Sequence, residues 1–437
     1  MTLRLPRTTT YDLPLLVVVL ALLLLGLVMV YSASGITALD ARDDPTAFLA
    51  QQSEWAALGI AAMLVAARVD YHRYRFLAAP LLLLAIGLLV AVLVPGVGVR
   101  AGGAARWLRF GTIAGVQPAE LAKLALILYL GTWLGTHRER VGSWQVTVPF
   151  VLVTATVTGL VFVEPDLGTA IVLGSLALAM YFVAGARLRE FAAVGLLAVA
   201  LAFAGAIAQP YRVQRLLVFL DPWADPRGAG FQAIQALYAL ALGGPFGEGL
   251  GAGREKFGFL PAPYTDSIFA VLGDELGLLG SATVVVLFLI IVFRGLRVAL
   301  RAEDATGALL ATGITVWIGF QAWVNMAVVA SLAPMTGVTL PFISYGGSSL
   351  CVGLIAVGIL LNVGQARAAA PPGPRRVQGA TAPRHFTGAQ PPPLPRAPRG
   401  RRDGWAREPA ARDRGGAAGD GKRRGHLVPR WSSRARG

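Results

Sequence analysis

Thr265-Asp266 stands immediately before an apolar run that opens at Ile268-Phe269. A carboxylate at that point lies at the mouth of a membrane helix. It can take a proton from an attacking hydroxyl, or it can cap the helix and meet the positive end of its dipole. Asp274 and Glu275 follow and make this helix start unusually acidic. Glu120 and Lys123 lie in QPAELAKLALILYL, three residues apart and so on one helical face. They form either a self-neutralising pair or the wall of a polar cavity in which Lys123 attracts an anion. Glu164 and Asp166 flank Pro165 at a tight turn. These two carboxylates can bind a divalent cation such as Mg or Mn, act as acid and base, or leave Asp166 as the cap of the next helix. Arg109 sits beside Trp107 and Arg106 in the 96–117 loop, which fits a hairpin at the membrane interface, with the guanidiniums toward phosphate or as simple anchors. Arg212, Arg215 and Lys256 add positive charge to a long segment carrying Gly243, Gly244, Gly247, Gly249, Gly251 and Gly253. That run lacks the spacing of a nucleotide-binding loop and reads as flexible chain with close backbone approaches.

The elements that must position these groups are membrane helices. The 437 residues are 55% hydrophobic and only 14% charged, and the deficit of charge excludes an ordinary soluble domain. Ten segments are long and apolar enough to cross a bilayer, near 13–31, 52–67, 77–95, 118–135, 147–163, 167–184, 191–208, 267–294, 308–330 and 348–364. The fold class is therefore an all-α polytopic membrane protein of about ten helices. Residues 1–12 form an N-terminal segment, 13–365 the membrane domain, and 211–266 a large loop between the seventh and eighth helices. The short-loop arginines, among them Arg68, Arg73, Arg138, Arg187, Arg294, Arg297 and Arg301, alternate with less basic loops. By the positive-inside rule this puts both termini in the cytoplasm and 211–266 outside. The net charge is +15, yet residues 365–437 hold 17 Lys and Arg against 4 Asp and Glu, so +13 of it belongs to the tail. A tail from about 366 made of Pro, Gly, Ala and Arg cannot bury enough apolar surface to order itself. It reads as a membrane-surface anchor or partner-docking tail, and the basicity does not describe a nucleic-acid-binding fold. The lone Cys351 excludes an intramolecular disulfide.

Taken in order, MVYSAS at 29–34, ARWLRFG at 105–111, QPAELAKL at 117–124, EPDLGTA at 164–170, YRVQRLLVFLDPWADP at 211–226, GFQAIQAL at 230–237, KFGFLPAPYTDSIFAVLGDELG at 256–277 and PFISYGGSS at 341–349 resemble the SEDS family (shape, elongation, division and sporulation), which includes FtsW and RodA. The wording of DPWADP and KFGFLP is more like the division branch than the elongation branch. The resemblance implies a ten-helix glycosyltransferase of the cell membrane. Such an enzyme polymerises lipid II, an undecaprenyl-pyrophosphate-linked disaccharide-peptide, with a class B penicillin-binding protein and other division proteins as partners. It implies that Asp266 is the essential acid. Three departures stand near it: Ser267 replaces an aromatic residue, Tyr264 replaces a common histidine, and GDELG replaces a commoner GEELG. Arg109, Glu120, Lys123, Arg212, Arg215 and Lys256 are then candidates to contact the substrate. A lipid flippase would use the same basic cavity without a general base. A division scaffold would depend on its tail instead, and an elongation polymerase would share the chemistry.

Overall fold

A computed structural model describes residues 11–101, 104–110 and 113–365; the expected tail, residues 366–437, lies outside the described residues. All ten expected spans are helices. They are α1 (Leu13–Arg42), α2 (Ala47–Arg68), α3 (Arg75–Leu93), α4 (Pro118–Thr136), α5 (Trp144–Val163), α6 (Leu167–Val183), α7 (Leu188–Ile207), α10 (Ile268–Arg301), α11 (Ala305–Val329) and α12 (Gly347–Gln365). Seven helices meet the length and hydropathy expected of a span. The other three of the ten are α6, with 17 residues, α2 and α4. The last two carry polar groups within their apolar faces, Gln52 on α2 and Glu120 and Lys123 on α4.

Local chemistry fixes several helix starts. Asp12 accepts from Leu15 N at 3.2 Å and caps α1. Asp304 accepts from Gly307 N at 2.7 Å and caps α11. Pro118 opens α4, where its missing N–H costs nothing. Side-chain amides join α2 to α12 and its approach: Gln52 Nε2 donates to Ser344 O at 3.2 Å, and Asn362 Nδ2 donates to Ala67 O at 2.9 Å. Where lipid surrounds a bundle, such bonds and close packing hold helices together.

Two features depart from the expected plan. The 96–117 segment is a small antiparallel sheet of β1 (Gly98–Ala101), β2 (Ala104–Phe110) and β3 (Ile113–Val116), in the order β1-β2-β3, with Val99 opposite Trp107 and Leu108 opposite Val116. The large 211–266 loop contains two short helices, α8 (Pro210–Leu220) and α9 (Phe231–Leu242). Strand pairing and short helices satisfy backbone groups that lipid headgroups alone would serve poorly.

The helix that carries the acidic start is broken. Gly277 in α10 has φ 66° and ψ −164°, a conformation that glycine adopts at little cost. The freed backbone groups pair with the glycine run. Leu278 N and Leu279 N donate to Gly244 O and Pro245 O at 2.8 and 3.1 Å, while Asp274 O and Glu275 O accept from Glu248 N and Gly249 N, each at 3.0 Å. A Cβ on Gly247, where φ is +80°, would lie 2.1 Å from Glu275 O. The glycines therefore dock one backbone against another and repair a break in a membrane helix.

Candidate functional site

Asp266 lies just outside the first turn of α10 and is half-buried. It does not cap that helix: Ser267 occupies the cap position and makes no side-chain cap bond. The Asp266 Oδ1 accepts from Thr265 Oγ1 at 3.0 Å. Burial pushes its pKa up, while the Thr265 bond and the Arg215 charge hold it down. The carboxylate is thus more basic than an exposed aspartate, which suits proton abstraction.

The backbone beneath it is fixed from three sides. Asn325 Nδ2 donates to Asp266 O at 2.7 Å and to Val338 O at 2.8 Å. Ser344 Oγ donates to Thr265 O at 2.7 Å and accepts from Leu340 N at 2.8 Å. Tyr345 N donates to Tyr264 O at 2.9 Å. The 337–345 segment and Asn325 therefore hold the Thr265-Asp266 backbone, while the carboxylate takes its bond from Thr265. Gln321, one turn before Asn325 on α11, donates to Thr339 O at 3.0 Å and supports the same segment. Both departures beside Asp266 find partners. Ser267 Oγ accepts from Gln232 Nε2 on α9 at 3.1 Å, and Tyr264 packs against Phe48 and Tyr345 with ring centroids at 5.0 and 5.7 Å.

The basic candidates separate. Lys123 is buried against Glu120 at 2.9 Å, donates to Gln321 Oε1 at 2.7 Å and lies 4.9 Å from the Trp317 ring centre. Through Gln321 it reaches the scaffold of Asp266, so it is tied to the site but already partnered. Lys256 is buried in a cluster, donating to Glu275 Oε1 at 2.6 Å and to Ser32 Oγ at 3.0 Å. Arg212 is buried and donates to Gly205 O at 2.9 Å and Tyr211 Oη at 2.8 Å, with its guanidinium 4.0 Å from the Phe162 ring centre. It ties α8 to the ends of α5 and α7. Arg215 is exposed, donates to Met335 O at 3.2 Å, and acts electrostatically on Asp266. Arg109 stands on β2, with its side chain outside the described residues.

At the Pro165 turn the two carboxylates diverge. Asp166 caps α6, accepting from Thr169 N and Oγ1 at 3.0 Å each. Glu164 is fully buried with neither carboxylate oxygen hydrogen-bonded, and burial with the nearby Asp166 charge pushes its pKa up to about 8. Arg106 opposes that rise and clamps the turn, donating to Glu164 O at 3.1 Å and to Pro165 O. Glu164 has free ligand capacity, whereas a cation on Asp166 would compete with its cap. Among the described residues, no group of three or more His, Cys, Asp or Glu is placed to hold a metal.

Sequence reasoning missed Asn325, Gln321 and Ser344. The signal was present in part: Gln321 and Asn325 are amide side chains four residues apart in an otherwise apolar helix, where polar groups need a reason.

Ten membrane helices, with a half-buried carboxylate just outside one of them, define a polytopic membrane protein. The model of the Cell cycle protein family that groups FtsW, RodA and SpoVE matches residues 13–369. The chain belongs to that family. It is 45% identical over 362 residues to a probable peptidoglycan glycosyltransferase FtsW of Geobacter metallireducens, covering 83% of this chain and 96% of the relative. It is 43% identical to stage V sporulation protein E of Bacillus subtilis, covering 82% and 98%. Among solved structures it resembles a chain from a study of how a peptidoglycan synthase complex coordinates polymerization and crosslinking, with TM-score 0.67 and 33% identity over 83% of this chain and 99% of that one. The rod shape determining protein RodA of Thermus thermophilus follows, with TM-score 0.60 and 30% identity over 83% and 99%.

Proposed function

We infer that this protein is a peptidoglycan glycosyltransferase of the multi-pass membrane type, polymerising lipid II into glycan strands during cell division. The observation that carries the reading is Asp266: a carboxylate raised by burial, outside a membrane helix, on a backbone held by Asn325 and Ser344. The relatives' names set the reaction class. A sugar hydroxyl attacks the anomeric carbon of the donor, Asp266 takes the hydroxyl proton, and undecaprenyl pyrophosphate leaves. An α-linked donor and a β-linked product require inversion in one displacement. Arg215 is the best placed of the basic candidates to offset charge on the departing pyrophosphate, because its charge already reaches Asp266. Lys123, Glu120, Arg212 and Lys256 act by holding the cavity walls; Arg109 is a second candidate for phosphate contact. A divalent cation, if used, would find ligand capacity at Glu164. Both termini face the cytoplasm and Asp266 faces the outside, at the division septum. A class B penicillin-binding protein, which crosslinks strands, is the proposed partner, consistent with a neighbour solved in a complex that coordinates polymerization and crosslinking.

The test is a purified complex with the cognate class B partner, supplied with labelled lipid II. Wild type forms polymer, and Asp266→Asn binds the partner and polymerises at least about 10²-fold more slowly. Polymerisation by the variant at the wild-type rate would remove the base from Asp266. Vesicle translocation of lipid II without polymer from either protein would favour a flippase.

A further inference from the structure

Two acids beside the Lys256–Glu275 pair have no cation of their own. Glu255 precedes Lys256 in the large loop, and Asp274 precedes Glu275 in α10. Both are buried, with 7% and 1% of their surface exposed. They lie together: Glu255 N donates to Asp274 Oδ2 at 3.5 Å, and an added Cβ on Gly253 would stand 2.5 Å from that same oxygen. One oxygen of each, Glu255 Oε2 and Asp274 Oδ1, is buried without a hydrogen-bond partner. Burial and the Asp274 charge push the Glu255 carboxyl up from its ordinary pKa.

The charges around the pair do not balance. Asp274 also feels the charges of Glu248 and Glu275. Lys256 is taken by Glu275 at 2.6 Å, and Arg254 faces Glu248 at 3.5 Å. Among the described residues, neither Glu255 nor Asp274 forms an ion pair. Four carboxylates thus share two cations, and the charge left over is that of one divalent ion. Buried charges are paired, protonated or bound to a metal. Calcium takes about six to eight oxygens in flexible geometry, from carboxylates, backbone carbonyls and water. Two carboxylates therefore suffice for the charge, and the loop backbone and water can complete the oxygen set.

We propose that Glu255 and Asp274 hold a calcium ion between the glycine run and the first stretch of α10. The ion neutralises the pair and ties the loop to the helix just before the Gly277 break. The site shares no residue with the Pro165 turn or with the surroundings of Asp266, so it does not depend on the glycosyltransferase reading.

The experiment uses the full chain in phosphatidylcholine nanodiscs, stripped with EGTA and then dialysed against labelled calcium. Wild type is compared with Glu255→Gln, Asp274→Asn and Glu164→Gln, and unfolding temperature is read by intrinsic fluorescence. Glu255→Gln and Asp274→Asn each keep the side chain's size and remove one of two like charges. In EGTA they should melt at or above wild type, which shows that they fold. Wild type should bind a single calcium ion and melt several degrees higher with it. Glu255→Gln and Asp274→Asn should each lose at least about tenfold in calcium affinity and most of the melting shift. Glu164→Gln should keep both, which separates this site from the Pro165 turn. Calcium bound equally by wild type and by the two pair variants would overturn the proposal. So would calcium bound by none of them, which would mean that the two acids share a proton instead.

Discussion

Asp266 and Glu275 stand at opposite ends of the first stretch of α10, and the fold treats them in opposite ways. Glu275 is fully buried and bound by Lys256 at 2.6 Å and by Ser32 Oγ at 2.6 Å. Asp266 is half-buried, takes a hydroxyl bond from its neighbour Thr265, and receives help from Arg215 at longer range. The first carboxylate is neutralised and locked. The second has its backbone locked and its side chain half-exposed. Beside Glu275 the glycine run fastens the Gly277 break, so this end of the stretch is held by backbone as well as side-chain bonds.

The largest effect expected from this contrast is on catalysis. Asp266→Asn should lower polymerisation by about 10²–10⁴-fold, the usual worth of a positioned base, with little change in unfolding temperature. In wild type the rate should fall with acid at a pH above the ordinary aspartate range, because burial raises the Asp266 pKa and only the ionised form accepts a proton. Arg215→Gln should move that acid limb further up, since the guanidinium favours the ionised form. A pH–rate profile in which Arg215→Gln leaves the limb in place would separate Arg215 from the site.

Glu275 should show the reverse pattern, a large stability effect and an indirect rate effect. Lys256→Met leaves a buried carboxylate without its cation and should cost about 3–5 kcal/mol. Lys256→Met/Glu275→Leu should recover most of that loss. Thermal unfolding of wild type, these two variants and Glu275→Leu alone measures the coupling directly. A double variant no more stable than Lys256→Met would mean that the pair is not the unit of stabilisation.

Gly247→Ala tests the fastening at the Glu275 end. It places a side chain at φ +80° and against Glu275 O, a strain of about 1–3 kcal/mol. Unfolding temperature should drop by several degrees, and activity should fall with it. Gly251→Ala is the control: it also has positive φ, but its Cβ would meet nothing within 4 Å. It should destabilise less.

How far the sequence revealed this arrangement follows from the range of each signal. Apolar runs are local, and all ten spans were legible. Asp266 was legible because Thr265-Asp266 interrupts polarity just before Ile268. The Glu120–Lys123 pair was legible because i,i+3 neighbours share a face. The Lys256–Glu275 pair was not, because Lys256 follows a glycine run whose path depends on docking at the Gly277 break. That break itself was hidden, since LGLLG inside an apolar run satisfies a helical pattern. At 96–117 a hairpin was legible from Trp107 between its arginines, but three paired strands were not, because the Gly- and Ala-rich GVRA and IAGV carry little alternation. Arg212 and Arg215 look alike in sequence. Only the packing of Phe162 and Gly205 against one of them separates a structural arginine from an available one.

Glu164 offers the sharpest sign. Its folded pKa is about 8 against a reference of 4.5. Between those values the folded state holds a proton that the unfolded state has lost. Stability therefore falls as pH rises across that window, by at most about 1.4 kcal/mol per pH unit, and is level below and above it. Glu164→Gln keeps a neutral group of the same shape and should remove the slope: near wild type at pH 5, more stable than wild type at pH 8.5. Thermal unfolding across pH 5–9 reads the difference. A divalent cation held by Glu164 reverses the expectation. The ion binds the ionised carboxylate, so wild type in Mg or Mn would gain stability as pH rises and Glu164→Gln would gain none. The sign of the slope, with and without the ion, thus decides whether this third carboxylate is a buried acid or a ligand.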